Sequence, residues 1–347
     1  MKGCPLPVGV VLPTLNVRPQ LPAHLAQMRT WLDLVEEIVV VDSQSDDGTE
    51  DYLRTQLRHP RTRYFSQPRG LYQAWNYGVG YIQSKYTYIS TAGDSVTREG
   101  LEHLAATVER FNADVIVSPP RFVLEPGARM PFEQWPIHEI IAQLRLSSPV
   151  LLPRPAAFFH AVYHAVEQRL FGLLGSSASN LYRTTTLQQR PFPTDCGHAG
   201  DTFWGVRNAL QVSIAVTPRE CSTFLIHPKT WMLGTDDYYT KLVGRALSEA
   251  RHVVQEESSR AALTSDDGQL QMISAYLNEL HGCREAQVEL DGFRVAALPW
   301  VLHPRAWQAR HRRSAHRRRV AALRAKLRAA VAASLQARPE PAMVSAP

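Results

Sequence analysis

Apolar positions in the first third of the chain come in short unbroken runs, not in alternating stripes. Val8 to Leu12 is a continuous, largely β-branched run, the mark of a strand buried on both faces. Glu37-Ile38-Val39-Val40-Val41 is a second such run and ends at Asp42. Leu21 to Trp31 between them reads as a helix. The turn Ser43-Gln44-Ser45-Asp46-Asp47-Gly48 carries the Asp and Gly that tight turns use, and Asp47 or Thr49 can cap a helix running to about Leu57. A strand near Arg63 to Phe65, a helix over Leu71 to Gln83, a strand over Tyr86 to Ser90, a helix over Glu99 to Phe111 and a strand over Ala113 to Val117 continue the alternation. This order predicts an α/β fold with a mostly parallel sheet and helices on both faces.

Residues Pro119 to Pro155 break the rhythm with prolines, aromatic residues, arginines and His138. They read as an inserted region that faces a second substrate, with one or two short helices. The apolar stretch from Pro149 to Val166 is interrupted by Pro153, Arg154, Pro155, His160 and His164, so it does not read as a spanning helix. Strands are expected over Ser179 to Arg183, Val212 to Val216 and Thr223 to Ile226, with a helix from Asp201 to Leu210. Beyond Asp236 the pattern is helical, over Tyr238 to Gln255, Gly268 to Leu280 and again after Pro304. Three units follow: an α/β domain over 1–232, a helical extension over 233–303, and a basic, partly disordered tail over 304–347.

Composition changes this picture in one place. The 347 residues are 44% hydrophobic and 20% charged, which is ordinary for a globular chain and excludes a wholly disordered one. The formal net charge of +6 is uneven. Ten Lys and Arg residues and no acid lie between Arg305 and Arg328; without them, 28 basic residues face 32 acidic ones. Val320, Leu323, Leu327, Val331 and Leu335 recur every three or four residues in the same segment, a basic amphipathic helix that would suit an anionic membrane surface. A solvated terminus is the plain reading of such a charge run, and nucleic acid is a disfavoured partner because the rest of the chain is mildly acidic. Cys4, Cys196, Cys221 and Cys283 form no CxxC pair, so free thiols in a reducing cytoplasm are expected, with the protein held peripherally at the inner face of the membrane if the tail binds lipid.

In doubly wound sheets ligands bind beyond the carboxyl ends of the strands, so residues just after each strand are the candidates. These are Pro13-Thr14-Leu15-Asn16, then Asp42, then Thr91-Ala92-Gly93-Asp94-Ser95. An Asp after a strand is often only a turn former; convergence on one edge is what gives Asp42 and Asp94 weight. A dinucleotide site is disfavoured, because PTLNVRPQ after the first strand holds no glycine and the G-x-G of Gly78-Val79-Gly80 lies inside a helix.

VGVVLPTLN, EIVVVDSQSDDGT and QPRGLYQAWNYGVGYIQSKYTYISTAGD, followed by SASNLYRTTTL and HAGDTFWGVRNALQVSIAVTPRECSTFLIHP, resemble family 2 glycosyltransferases of the GT-A fold over roughly Val8 to His227. The resemblance implies transfer of a hexosyl-type sugar from a nucleotide-diphosphate sugar, a UDP-sugar in the first instance, to a glycan, lipid-linked or polysaccharide-precursor hydroxyl. It implies that Pro13, Thr14 and Asn16 shape the donor pocket with Asp42, Arg69 and Gly70. It implies that Asp94 is the second carboxylate of an Asp-x-Asp motif for Mg²⁺ or Mn²⁺, that His227 can approach the metal or diphosphate, and that Asp201 is the general base of an inverting displacement. Two residues depart from the family pattern: Ala92 stands at the first metal carboxylate and Gly200 at the usual Glu before the base. They open the alternative of a degenerate domain that binds nucleotide or glycan without turnover. Asp201 is also expected at a helix start, where the dipole would favour its ionised form and where simple capping would equally place an Asp.

Overall fold

The computed structural model describes residues 5–128, 135–167, 172–226, 236–261, 267–295 and 304–336. The first half runs β1 (Val8–Thr14), α1 (Leu21–Met28), β2 (Glu37–Asp42), α2 (Thr49–Gln56), β3 (Thr62–Ser66), α3 (Leu71–Tyr81), β4 (Tyr86–Ile89), β5 (Ser95–Val96), α4 (Arg98–Phe111) and β6 (Val115–Val117). There follow β7 (Pro120–Leu124), α5 (Pro136–Leu144), β8 (Val150–Leu151), α6 (Arg154–Val166), β9 (Asn180–Arg183), α7 (Thr184–Gln189), α8 (Gly200–Asn208), β10 (Ile214–Val216) and β11 (Ser222–Ile226). Three long helices close the chain: α9 (Asp236–Ala261), α10 (Asp267–Val295) and α11 (Pro304–Gln336).

Eight strands form the main sheet in the order β3-β2-β1-β4-β9-β6-β10-β8. Neighbours among β3, β2, β1 and β4 are parallel, as are β6 and β10, whereas β9 and the edge strand β8 run antiparallel. The continuous apolar runs have a physical reason. Val11, Val39 and Val41 face one core, while Val8, Val10, Leu12, Ile38 and Val40 face the other, so both sheet surfaces are covered. Gly78 lets α3 lie close on β1: a Cβ there would sit 2.5 Å from Val11 Cγ1. The G-x-G of this helix therefore serves packing. A second sheet of β5, β11 and β7 stands beside the first.

The segment from Pro119 to Pro155 is not a separate insertion. Its strand β7 pairs with β11 and its strand β8 caps the main sheet against β10. The interrupted apolar stretch after it is the helix α6, buried from Ala156 to Ala165. A helix covered all round has no polar face to give a period, and Pro155 lies in its first turn, where no amide is needed.

The described part of the tail, residues 304–336, packs on the rest of the chain. Residues 304–336 form α11, which runs antiparallel to α10. Arg312 pairs with Glu289, and Arg319 Nε (2.8 Å) and His316 Nδ1 (2.6 Å) pair with Glu279. Further along, Arg324 reaches Glu167 at 2.5 Å and Arg328 reaches Glu139 at 3.0 Å, on or beside α6 and α5. The apolar stripe is present, but Val320, Leu327 and Val331 are buried in the protein's own main core and do not face outward to lipid. Among the described residues no helix is long and apolar enough to cross a membrane.

Candidate active site

Strand register aligns the donor-side candidates. Thr14 pairs with Asp42 across β1 and β2, and Asp42 pairs with Ser66 across β2 and β3, so the three strands end level. Asp42 is 2% exposed. Its Oδ1 accepts from the Thr14 hydroxyl at 2.9 Å and the Ser45 hydroxyl at 2.6 Å, and its Oδ2 accepts from the Ser45 amide at 2.8 Å. Asp42 thus ties the end of β1 to the turn after β2. Asn16 stands in the left-handed region at φ 51°, a conformation Asn tolerates. Its amide donates to Ser45 Oγ at 2.9 Å, and its Oδ1 accepts from the Asp46 amide at 3.0 Å. Arg69, in the loop after β3, lies 3.5 Å from Asp46, and Gly70 precedes the first residue of α3. Pro13, Thr14, Asn16, Asp42, Arg69 and Gly70 therefore form one wall at the carboxyl edge of β1, β2 and β3.

Asp94 follows β4 on the same edge. Its Oδ2 accepts from the Thr91 hydroxyl at 2.9 Å and its Oδ1 from the Leu225 amide of β11 at 3.0 Å, so it joins the two sheets. His24 of α1 lies behind this loop, with Nε2 3.1 Å from Ser90 Oγ; burial pushes the imidazole down to about 4 and keeps it neutral. His227 lies outside the described residues.

Asp201 is in the first turn of α8 and half-buried. The helix dipole was expected to favour its charge, but burial wins and pushes the carboxyl up to about 6, against the lowering from the Thr202 amide at 2.7 Å and the Tyr72 hydroxyl. Tyr72 is the residue that sequence reasoning missed. It lies two positions after Gly70 on α3, 3% exposed, and its hydroxyl donates to the His198 carbonyl at 2.9 Å. One turn later Asn76 exchanges two bonds with the Phe192 backbone, at 2.8 and 2.9 Å. Positions 72 and 76 share a helix face and hold the loop that leads to Asp201. Gly200 was the available signal. A Cβ on it would sit 2.5 Å from Tyr72 Cδ2 and Cε2 and 2.6 Å from the Pro193 carbonyl. The tyrosine ring fills the space beside Asp201, so no side chain fits at position 200.

A cage built from protein ligands alone does not fit these residues. Ala92 offers no ligand, and among the described residues no three His, Cys, Asp or Glu gather to hold a metal. One carboxylate, Asp94, does fit an ion carried mainly by a diphosphate and water, the habit of Mg²⁺.

A mostly parallel sheet with loops gathered at its carboxyl edge and a half-buried carboxylate beside them defines a ligand-binding α/β domain. Residues 9–171 of the chain match the model of glycosyl transferase family 2. Among solved structures it is similar to S. aureus TarS 1-349 in complex with UDP-GlcNAc, at 14% identity and a TM-score of 0.54 over 92% of each chain. The UDP complex of the same protein gives 14% identity and a TM-score of 0.50, over 92% of this chain and 91% of that one. No curated protein matches the sequence.

Proposed function

We propose that the protein transfers one sugar from a nucleotide-diphosphate sugar, a UDP-sugar in the first instance, to an acceptor hydroxyl with inversion. The observation that carries this is the Asp201 carboxyl, raised to about 6 by burial and held against α3, whose first residues continue the donor-side wall. A base with that value is ionised at neutral pH yet basic enough to take a proton. The nucleotide-bound neighbour supports the donor class.

In this reading Asp201 accepts the hydroxyl proton as the acceptor oxygen bonds to the anomeric carbon, and the diphosphate leaves from the opposite face. The wall of Thr14, Asn16, Asp42 and Arg69 holds the nucleoside end. Asp94 would hold a divalent cation with the diphosphate, and that ion would offset the charge gathering on the leaving group. The acceptor is a hydroxyl of a glycan, lipid-linked or polysaccharide precursor. Arg310, Arg317 and Arg318 of α11 are exposed, as is Trp307 (52%), and these residues suit an anionic surface better than the buried stripe does. Among the described residues, α9 packs on α6 and α8, and α10 packs on α6, α9 and α11.

Transfer and donor hydrolysis should be measured over a panel of nucleotide-sugars with and without Mn²⁺ or Mg²⁺. Turnover of at least one donor, lost in Asp201→Asn, is expected. Tight UDP binding without turnover of any donor would establish the non-catalytic binding domain that Ala92 favours.

A further inference from the structure

We propose that Tyr72 is a positioning residue for the base, its hydroxyl switching acceptor as Asp201 gains a proton. The inference rests on Asp201 being the base. The phenol has two acceptors within reach: the His198 carbonyl at 2.9 Å and the Asp201 carboxylate. It has one proton to give.

With Asp201 ionised, the phenol donates to the carboxylate, a charge-assisted bond that is the stronger of the two. When Asp201 takes the acceptor's hydroxyl proton, the carboxylic acid donates to the phenol oxygen. The phenol hydrogen then turns to the His198 carbonyl. No proton leaves Tyr72; the proton gained stays on Asp201. The carboxyl and the phenol stay bonded to each other in both states, and the His198 carbonyl takes up the phenol hydrogen only when Asp201 is protonated.

The fold fixes the phenol for this task. Tyr72 stacks on Phe192 with ring centroids 5.8 Å apart and meets Trp75 edge-on at 4.9 Å. Gly200 leaves the space its ring occupies, and Asn76 holds the same loop from the next turn of α3. The other groups around Asp201 do not compete for the role. Tyr182 of β9 is fully buried and bonded to Asn180, and burial pushes its hydroxyl further from ionising. His198 is held below its ordinary value by burial, and His160 and His164 of α6 are kept neutral in the same way. Arg207, Arg245, Glu249 and Asp195 are paired among themselves along α8 and α9.

The test compares Tyr72→Phe with wild type and Asp201→Asn in transfer kinetics across pH, with UDP binding and thermal unfolding measured on each. Phenylalanine keeps the ring packing and removes the hydroxyl. Loss of the bond to the ionised carboxylate should move the acid limb of kcat/KM up by about one pH unit and lower kcat roughly tenfold near pH 6.5. The donor KM should change less than about twofold. An acid limb that stays in place in a folded, UDP-binding Tyr72→Phe protein overturns the assignment of Tyr72 while the base reading stands. Full transfer by Asp201→Asn overturns both. If Tyr72→Phe does not fold, a fluorinated tyrosine incorporated at position 72, a stronger donor in the same space, should move the acid limb down instead, and an unmoved limb overturns the assignment.

Discussion

Replacing Asp201 by Asn separates a catalytic carboxylate from a helix cap, because the two roles have opposite stability signatures. A capping Asp is stabilised in its charged form; Asp201 is held up at about 6 from an ordinary 3.8 by burial. Converted at about 1.4 kcal/mol per pH unit, that difference is roughly 3 kcal/mol against the ionised folded protein. It is an upper figure, since Asp201 is only half-buried and solvent screens part of the cost. Losing the charge near the start of α8 gives back about 0.3–1 kcal/mol of dipole stabilisation, so burial decides the sign. The sign with pH follows from linkage. Between 3.8 and about 6 the folded chain binds the proton and the unfolded chain does not, so wild-type stability falls as pH rises through that window. Asn cannot titrate and escapes the loss. Urea unfolding should therefore find Asp201→Asn more stable than wild type by about 1–3 kcal/mol near neutral pH and equal to it, or slightly less stable, near about pH 4. Transfer should fall by at least about a hundredfold in the same protein. A variant that is less stable at neutral pH and still transfers sugar would show that Asp201 is a cap.

The remaining outcomes address the structure around the site. Gly200→Ala places a methyl group against the Tyr72 ring and the Pro193 carbonyl, so thermal unfolding should show a loss of about 1–3 kcal/mol together with reduced transfer; an unperturbed protein would mean that the ring has room. His160 is buried and held down to about 3, so its imidazole stays neutral when folded; stability should fall as pH drops below 6.5, by about 2 kcal/mol at pH 5, and His160→Gln should flatten that slope in denaturant titrations. Leu327→Ala should cost about 2–5 kcal/mol because the side chain is 1% exposed in the main core, and removal of residues 304–347 should lower the melting temperature sharply; a truncated protein melting as wild type would make the tail detachable after all. Asp94→Asn should weaken nucleotide-sugar binding more in Mn²⁺ than in its absence, as titration calorimetry can measure; an equal loss in both would give Asp94 a structural role, through bonds such as those to Thr91 and Leu225.

What could be read from the chain followed from how far apart the interacting groups lie. A strand covered on both faces announces itself locally, and β1, β2 and β3 fall within a residue or two of their expected limits. The candidates at their carboxyl ends were legible for the same reason: Thr14 and Asp42 are level because parallel register puts them there. The helix α6 was not, because complete burial erases its period. Tyr72 was hidden by distance: its partners His198 and Asp201 lie more than a hundred residues on, and its aromatic neighbours made it look like core.

The tail shows the same limit most clearly. Ten cations without an intervening acid read as a free segment only while their partners are out of view. Arg312 and Arg319 meet Glu289 and Glu279 across the α10–α11 pair, while Arg324 and Arg328 reach back more than 150 residues to Glu167 and Glu139. The surplus of acids over bases in the rest of the chain is therefore not a property of a separate acidic body. Four of those acids are the counter-charges of α11, and an apolar stripe buried on the same helix means that docking is held by packing first and by charge second, since exposed pairs contribute about 0–1 kcal/mol each. Salt should consequently weaken the ion pairs without releasing the helix, whereas truncating Leu327 or Val331 should loosen it at any ionic strength.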